Sequence, residues 1–242
     1  LFLWNKNKLK IGVEQEKFLF ERNNHKRINY EKLKNLFENL KKNSWSPIFE
    51  NNNIVGLKRE NQQITTEPGL QCELSGEPLD NIHQVCSESS TYSKEIKEAS
   101  KNLNISFASV GFDPFNEVLE IPKNPKQRYE IMTKEMPKNG KLSLDMMYRT
   151  CGIQINYDYT SEKNFEKLFR VGNYLTPLTI ALFANSPFVN RRSSGYLSYR
   201  NKVWQSTSRG GIMPIAFEKV TFEKYFDHVI DYPILFGYRD KK

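Results

Sequence analysis

Side chains two residues apart on an extended strand leave the same face, and three short segments of this chain place carboxylates or amides at that spacing among apolar neighbours. They are Glu14 and Glu16 in IGVEQEKF, Gln71 and Glu73 in GLQCELSG, and Gln154 and Asn156 in CGIQINYDY. If these strands share a sheet, one face gathers carboxylates that repel one another unless cations sit among them. Two outward glutamates on a surface strand would explain the first pair alone. The second segment argues further, because Glu67, before a Pro-Gly turn, lies an even separation from Glu73 and returns to the same face if no bulge intervenes. A partly buried cluster of four carboxylates must be solvated, ion-paired or metal-bound. Mg²⁺, a hard cation shared between a few carboxylates and phosphate oxygens, is the natural candidate; salt bridges to lysines are the plainer one. The amide oxygens of Gln154 and Asn156 suit the periphery of such a site or a substrate hydrogen bond.

Around these strands the pattern alternates between strand and helix. KIGVEQEKFLF reads as a strand ending at the charged run ERNNHKR, and Asn29 as the N-cap of a helix through Leu33, Phe37 and Leu40. Strands around IVGLKRE and QITTEPGLQCELSG suggest an antiparallel meander. Gly76 and Pro78 open a long helix whose apolar positions run through Leu79, Ile82, Cys86, Tyr92, Ile96, Ala99 and Leu103. ISFASVGFDPF reads as a strand followed by an irregular loop, and QRYEIMTKEM as a short helix. LSLDMMYRTCGIQINYDY reads as one long strand, then Ser161 caps a helix carrying Phe165, Leu168, Phe169 and Gly172. NRRSSGYLSYRNKVW reads as a loop, followed by a Gly pair and a final helix, FEKYFDHVI. With no internal repeat and no clear linker, a single α+β domain is expected.

Composition excludes several classes. The chain of 242 residues has 16 Phe and 12 Tyr, enough apolar surface for a real core. Its formal charge of +8 comes from lysines spread among asparagines, without an RNA or DNA motif, so nucleic-acid binding is not expected and a basic module with structural acidic strands is the weaker reading. Cys72, Cys86 and Cys151 form neither a disulfide framework nor a CxxC pair. The run LTPLTIALFA is about half a membrane span and contains Pro177, and LFLW, followed at once by charges, does not read as a signal peptide. A cytoplasmic protein is expected. Phosphate-loop, nucleophile-elbow, HExxH and dinucleotide motifs are absent, and His25, His83 and His228 stand alone. Metal-assisted phosphoryl chemistry therefore fits better than a nucleophile and base. Among the arginines, whose planar fork suits carboxylate or phosphate, Arg128 lies in the first turn of the QRYEIM helix and Arg200 four residues before Trp204. Either is equally readable as a surface residue. Arg149 falls at the strand parity opposite Gln154 and Asn156.

In order and spacing, IGVEQEKFLF, TTEPGLQCELSGEPLDNIHQVCSE, RYEIMTKEMP, LSLDMMYRTCGIQINYDYTSE, FRVGNYLTPLTIALFANSPF and GYLSYRNKVWQST resemble the glutamate-cysteine ligases of the plant and proteobacterial type, from about Ile11 to Arg239. The resemblance implies a glutamine-synthetase-like fold: a curved, mostly antiparallel sheet forming a funnel lined by acidic strands, with helices packed outside. It implies that ATP phosphorylates the γ-carboxylate of glutamate and that the cysteine amine displaces phosphate, giving γ-glutamylcysteine, the first step toward glutathione. A related carboxylate-amine ligase with another amine acceptor is the alternative. By the same resemblance Glu14, Glu16, Glu67 and Glu73 are ligands of two or three Mg²⁺ ions, and Arg128 and Arg200 hold glutamate or the transferred phosphoryl group, with Gln154 and Asn156 on the substrate side. Cys86 matches a position that in some members belongs to a redox-responsive cysteine set, although on this chain's apolar stripe it reads as core. Gln15 stands where the family usually has His, and Cys72 replaces an aromatic; both take the parity away from the glutamates. A monomer or homodimer in the cytoplasm, or in the plastid for a plant-like source, would follow. Members of this family continue well past YPILFGYRDKK, so residues 1–242 are expected to be the catalytic-domain portion of a longer chain, lacking its C-terminal part.

Overall fold

Alternation in IGVEQEKFLFE makes β1 (Ile11–Glu21) the longest strand and puts its even and odd positions on opposite faces of a seven-stranded sheet. The computed structural model describes residues 9–207 and 213–232 with Ile234 and Gly237; the LFLW start, the Gly210–Gly211 pair and most of the YPILFGYR run lie outside the described residues. β2 (Ser46–Glu50), β3 (Asn53–Arg59), β4 (Gln62–Thr66) and β5 (Cys72–Ser75) form the expected antiparallel meander and bring β5 against β1. β1 also pairs with β6 (Ile105–Ala108) through Phe18–Glu21 and with β7 (Ile153–Tyr157) through Ile11–Gln15. Every one of these pairings is antiparallel.

One face of this sheet is apolar and covered by two helices. α1 (Tyr30–Leu40) starts where the Asn29 side chain accepts from the Lys32 N–H, and its stripe Leu33, Leu36, Phe37 and Leu40 is buried. α2 (Ile82–Ala99), capped by Asn81, adds Tyr92, Ile96 and Ala99. These meet Leu19, Leu57, Ile64, Cys72, Leu74 and Ile105 from the strands in one continuous core. Gln15 takes the same parity as Leu19 and accepts from Ser89 Oγ of α2 at 3.0 Å, so it points away from the glutamates, as Cys72 does toward Tyr92.

Three expectations give way here. Cys86 is exposed rather than core: the buried positions of α2 begin at Val85 and Glu88, and one residue beyond Val85 turns the side chain about 100° toward solvent; Ile82, the first residue of the helix, is exposed as well. LSLDMMYRTCGIQINYDY is not one strand; it folds into α4 (Ser143–Arg149) and, after a break, β7. Leu144, Met147 and Tyr148 recur at helical spacing and pack on Ile121 and Met132, and Asp145 pairs with Arg149 at 2.9 Å across one turn, so the 3.6-residue period wins. The segment NRRSSGYLSYRNKVW is likewise not a loop throughout. It holds β9 (Arg192–Ser193), which pairs with β8 (Phe188–Val189) just before the segment, and nearly all of the helix α6 (Tyr199–Gln205).

The remaining helices are α3 (Gln127–Glu135), α5 (Glu162–Leu182), capped by Ser161 and containing Pro177, and α7 (Phe222–Ile230). α5 buries none of its side chains. Among the described residues no helix is long and apolar enough to cross a membrane.

Leu74 is fully buried between sheet and helices, so Leu74→Ala should remove about 3 kcal/mol of unfolding free energy in a urea titration. A loss below about 1 kcal/mol would contradict this placement of the core.

Candidate active site

On the opposite face, the register of β1 and β5 sets Glu16 directly across from Glu73, and Glu73 across from Thr65 of β4. Thr65 Oγ1 donates to Glu73 Oε2 at 2.7 Å, and the Glu14 carboxyl is close enough to raise the proton affinity of Glu73. Glu14 also accepts from Asn156 Nδ2 at 2.9 Å, and Gln154 stands opposite Glu14 in β7. The three segments that spacing singled out thus meet in one sheet.

Glu67 arrives by a tight turn. Its N–H donates to the Gln71 carbonyl and its own carbonyl accepts from Leu70, which takes a left-handed φ of 60°. Its carboxylate is 3.4 Å from the Tyr129 hydroxyl of α3, and it raises the proton affinity of both Glu16 and Glu73. Gln71 is buried at the edge of the smaller of two cavities that meet at Arg200, taking the Gly69 N–H on its carbonyl oxygen and donating to the carbonyls of Met147 and Thr150, whereas Glu73 lines neither cavity.

The electrostatics follow from crowding. Burial, then Glu67 and Glu73, push the Glu16 carboxyl up to about 7 against the opposing pull of the Gly152 N–H and Arg200. Burial chiefly, with Glu67 and Glu14, pushes Glu73 up to about 7 as well, against the Thr65 hydrogen bond. Lys126 is lowered to about 8 by burial and by Arg128, and its Nζ donates to the Thr66 carbonyl at 2.9 Å.

Arg200 and Trp204 sit four residues apart on α6, with the guanidinium 5.4 Å from the indole. Burial lowers the Arg200 pKa and Glu16 opposes that effect. Among the described residues, Arg200 Nε and Trp204 Nε1 are buried donors without a hydrogen-bond partner, on two side chains that border the cavities. Gly152 makes room for the guanidinium: a Cβ there would lie 2.8 Å from Arg200 Nη2. The same residue donates its N–H to Glu16 Oε2 at 2.5 Å and accepts from the Glu16 N–H at 3.0 Å.

Two cavities meet at this point. A smaller one, about 270 Å³, is lined by Glu16, Glu67, Gln71, Tyr129, Met132, Met146, Met147 and Gln154, and a larger cleft of about 660 Å³ runs past Ser109, Gly152, Ile155, Phe183 and Asn201. Glu16, Arg200 and Trp204 line both. Arg128 lines neither; its Nη2 donates to the Tyr129 hydroxyl at 2.7 Å, so it reaches Glu67 through that ring. Arg149 faces away, bonded to Asp145, Asn190 and the Asp113 carbonyl. Cys86 is a free thiol on α2, which covers the other face of the sheet. Tyr129, the three methionines and Trp204 were not anticipated as wall residues; the i, i+4 spacing of Arg200 and Trp204 was the one available signal.

Among the described residues no group of three His, Cys, Asp or Glu forms a ready-made metal cage. The donor chemistry nevertheless fits Mg²⁺, which binds through one or two carboxylates and completes its shell with water and phosphate oxygens. Two carboxyls pushed up to about 7 by burial and by neighbouring carboxylates are the groups a dication would stabilise in charged form.

A family model, glutamate-cysteine ligase family 2, matches residues 10–242. The chain is 42% identical over 241 residues to a protein named glutamate--cysteine ligase A, chloroplastic, from Oryza sativa subsp. japonica, covering 98% of this chain and 49% of the relative. Proteins named glutamate--cysteine ligase, chloroplastic, from Medicago truncatula and Nicotiana tabacum are each 43% identical across 98% of this chain, which covers 47% and 46% of them. The chain therefore spans about half the length of the curated relatives it matches.

Carboxyls that titrate near 7 when folded and near 4.5 when free bind more protons in the folded state between those values, so stability falls as pH rises through that window. Melting temperature measured in a chelator should decline from about pH 4.5 to about 7, and Glu16→Gln should flatten the decline. A melting temperature that rises across that interval in the parent protein would contradict the crowding.

Proposed function

The chain belongs to glutamate-cysteine ligase family 2, and from that premise we propose that the intact protein joins the γ-carboxylate of glutamate to the amine of cysteine at the expense of ATP, through a γ-glutamyl phosphate, as the first step of glutathione synthesis. The observation that carries this reading is the confrontation of Glu16 with Arg200 at the seam of two cavities, with Glu67 on the wall of the smaller one and Glu73 opposite Glu16 across the strand pair. Phosphoryl transfer needs opposite demands met close together: cations over the phosphate oxygens and a cationic fork for the carboxylate acceptor. Mg²⁺, two or three ions by family resemblance, supplies the first demand by neutralising charge on the transferred group. Glu14, Glu16, Glu67 and Glu73 are the side chains that would hold it.

Arg200 supplies the second demand. Its Nε and the Trp204 indole N–H offer fixed donors to a substrate carboxylate, and stacking against Trp204 limits the ways the guanidinium can turn. Gly152 keeps that guanidinium close to Glu16 without an intervening Cβ. Tyr129 aims its hydroxyl at Glu67 and at the Thr66 carbonyl, fixing the turn, and Arg128 supports Tyr129 from behind. Met132, Met146 and Met147 keep the smaller cavity apolar on one side, which strengthens every charge interaction inside it. Gln154 offers an amide to the same cavity, and Asn156 restrains Glu14. Wrapping of this sheet into a funnel in the intact protein accords with the acidic face it presents. For a plant-like source the chloroplastic relatives favour the plastid as its compartment.

Phosphate release by the intact protein with ATP, Mg²⁺ and glutamate should be stimulated by cysteine above other amines. Equal or greater stimulation by a different amine would replace cysteine with that acceptor in a related carboxylate-amine ligase. Glu16→Gln and Glu67→Gln should each lower kcat at least about a hundredfold with little loss of fold stability, since relief of carboxylate repulsion offsets the lost ligand. Unchanged turnover in either would remove it from the metal set. Arg200→Lys should raise KM for glutamate about tenfold or more, because the fork is lost while the charge remains.

A further inference from the structure

Arg27 lies in the polar run ERNNHKR, yet only 4% of it is exposed. Its guanidinium carbon is 4.7 Å from the Phe18 ring centre and 5.7 Å from that of Phe20. Nη1 is 3.4 Å from Asp113 Oδ2 and 3.3 Å from the Tyr148 carbonyl, and Nη2 donates to the Gly69 carbonyl. Asp113, fully buried, is fixed in turn by the N–H groups of Phe115 and Asn116.

A cation taken this far from water is costly, so what its bonds join matters. The two carbonyls come from separate parts of the site. Gly69 belongs to the turn from Glu67 to Gln71, and Tyr148 to the last turn of α4, whose Met146 and Met147 wall the smaller cavity. Carbonyl oxygens brought together repel, and a planar fork between them turns repulsion into two hydrogen bonds that a lysine ammonium would not align the same way. The fit is close: a Cβ on Gly69 would lie 2.8 Å from the Tyr148 oxygen. Neither Arg27 nor Asp113 lines either cavity.

We propose that Arg27, held by Asp113, is a positioning residue: by clamping the Gly69 and Tyr148 carbonyls it fastens the turn to α4 and sets Glu67 on the acidic face. Its consequence for cation binding rests on the metal reading above. The test compares Arg27→Lys with Arg149→Lys in the intact protein that carries this sequence. Arg149 is as buried and also bonds Asp113, through the main-chain carbonyl, but makes no bond to the turn. Mn²⁺ affinity is read by water-proton relaxation, and amide exchange across residues 67–71 by mass spectrometry.

Arg27→Lys should weaken Mn²⁺ binding about tenfold or more and speed exchange in the turn, while Arg149→Lys leaves both within about twofold of the parent. Equal effects in the two variants, unchanged exchange in Arg27→Lys, or faster exchange with unchanged Mn²⁺ affinity would overturn the assignment. A parent that binds no Mn²⁺ refutes the metal reading instead, and exchange in the turn then decides the clamp alone. Should Arg27→Lys fail to fold, Gly69→Ala, which forces the same carbonyls apart without removing a charge, must give both effects or the clamp is refuted.

Discussion

Two carboxylates facing each other across one antiparallel pair, Glu16 on β1 and Glu73 on β5, set the conditions for the rest of this molecule. Like charges directly opposite are unfavourable in a sheet, and here Glu67 and Glu14 add to the repulsion. The arrangement is tolerable because the other face of the same strands buries a large apolar core under α1 and α2. Strand parity then leaves the glutamates no alternative position: a one-residue slip that relieved them would put Leu19 and Leu74 into the cavity and glutamate into the core.

The surroundings of Glu16 show how little of this repulsion the protein neutralises by itself. It receives one backbone N–H from Gly152 and faces one guanidinium, and Glu73 receives one threonine hydroxyl. Direct ion pairs, which the many lysines could have supplied, are absent from this face among the described residues. A structural role for the glutamates would call for such partners; under the proposed reading, cations brought with the nucleotide would take their place.

Much of the acidic face was legible in the amino-acid sequence because strand parity is a strict period of two: Glu14 with Glu16, Gln154 with Asn156, and Gln15 and Cys72 on the reverse side follow from it. Glu67 was legible as an even count across Pro68 and Gly69, but its return depends on the left-handed Leu70 and on bonds from Asn124, Tyr129 and Arg27, which no local pattern displays. Where two periods competed, the outcome depended on tertiary partners. Residues 143–149 became a helix because Ile121 and Met132 were there to receive Met147 and Tyr148, and Cys86 missed the core because the contact stripe of α2 started at Val85. Arg27 offered no signal at all, since the five residues before it are solvated and its ring, carboxylate and carbonyl partners come from four separate segments.

The seam between the two cavities is where these constraints converge. Glu16 and Arg200 carry opposite charge on its walls, and Gly152, the residue that joins β7 to the α4 break, holds the first by hydrogen bonds and admits the second by having no side chain. Under the proposed ligase reading, a carboxylate activated on one side must meet an amine arriving from the other, and groups in both cavities border the same glutamate, arginine and indole. A single closed pocket would force the two substrates to enter in sequence through one mouth. On that reading, two cavities sharing one charged wall would let each substrate be bound by its own surroundings beside the other, which is the entropic advantage that a bimolecular condensation most needs.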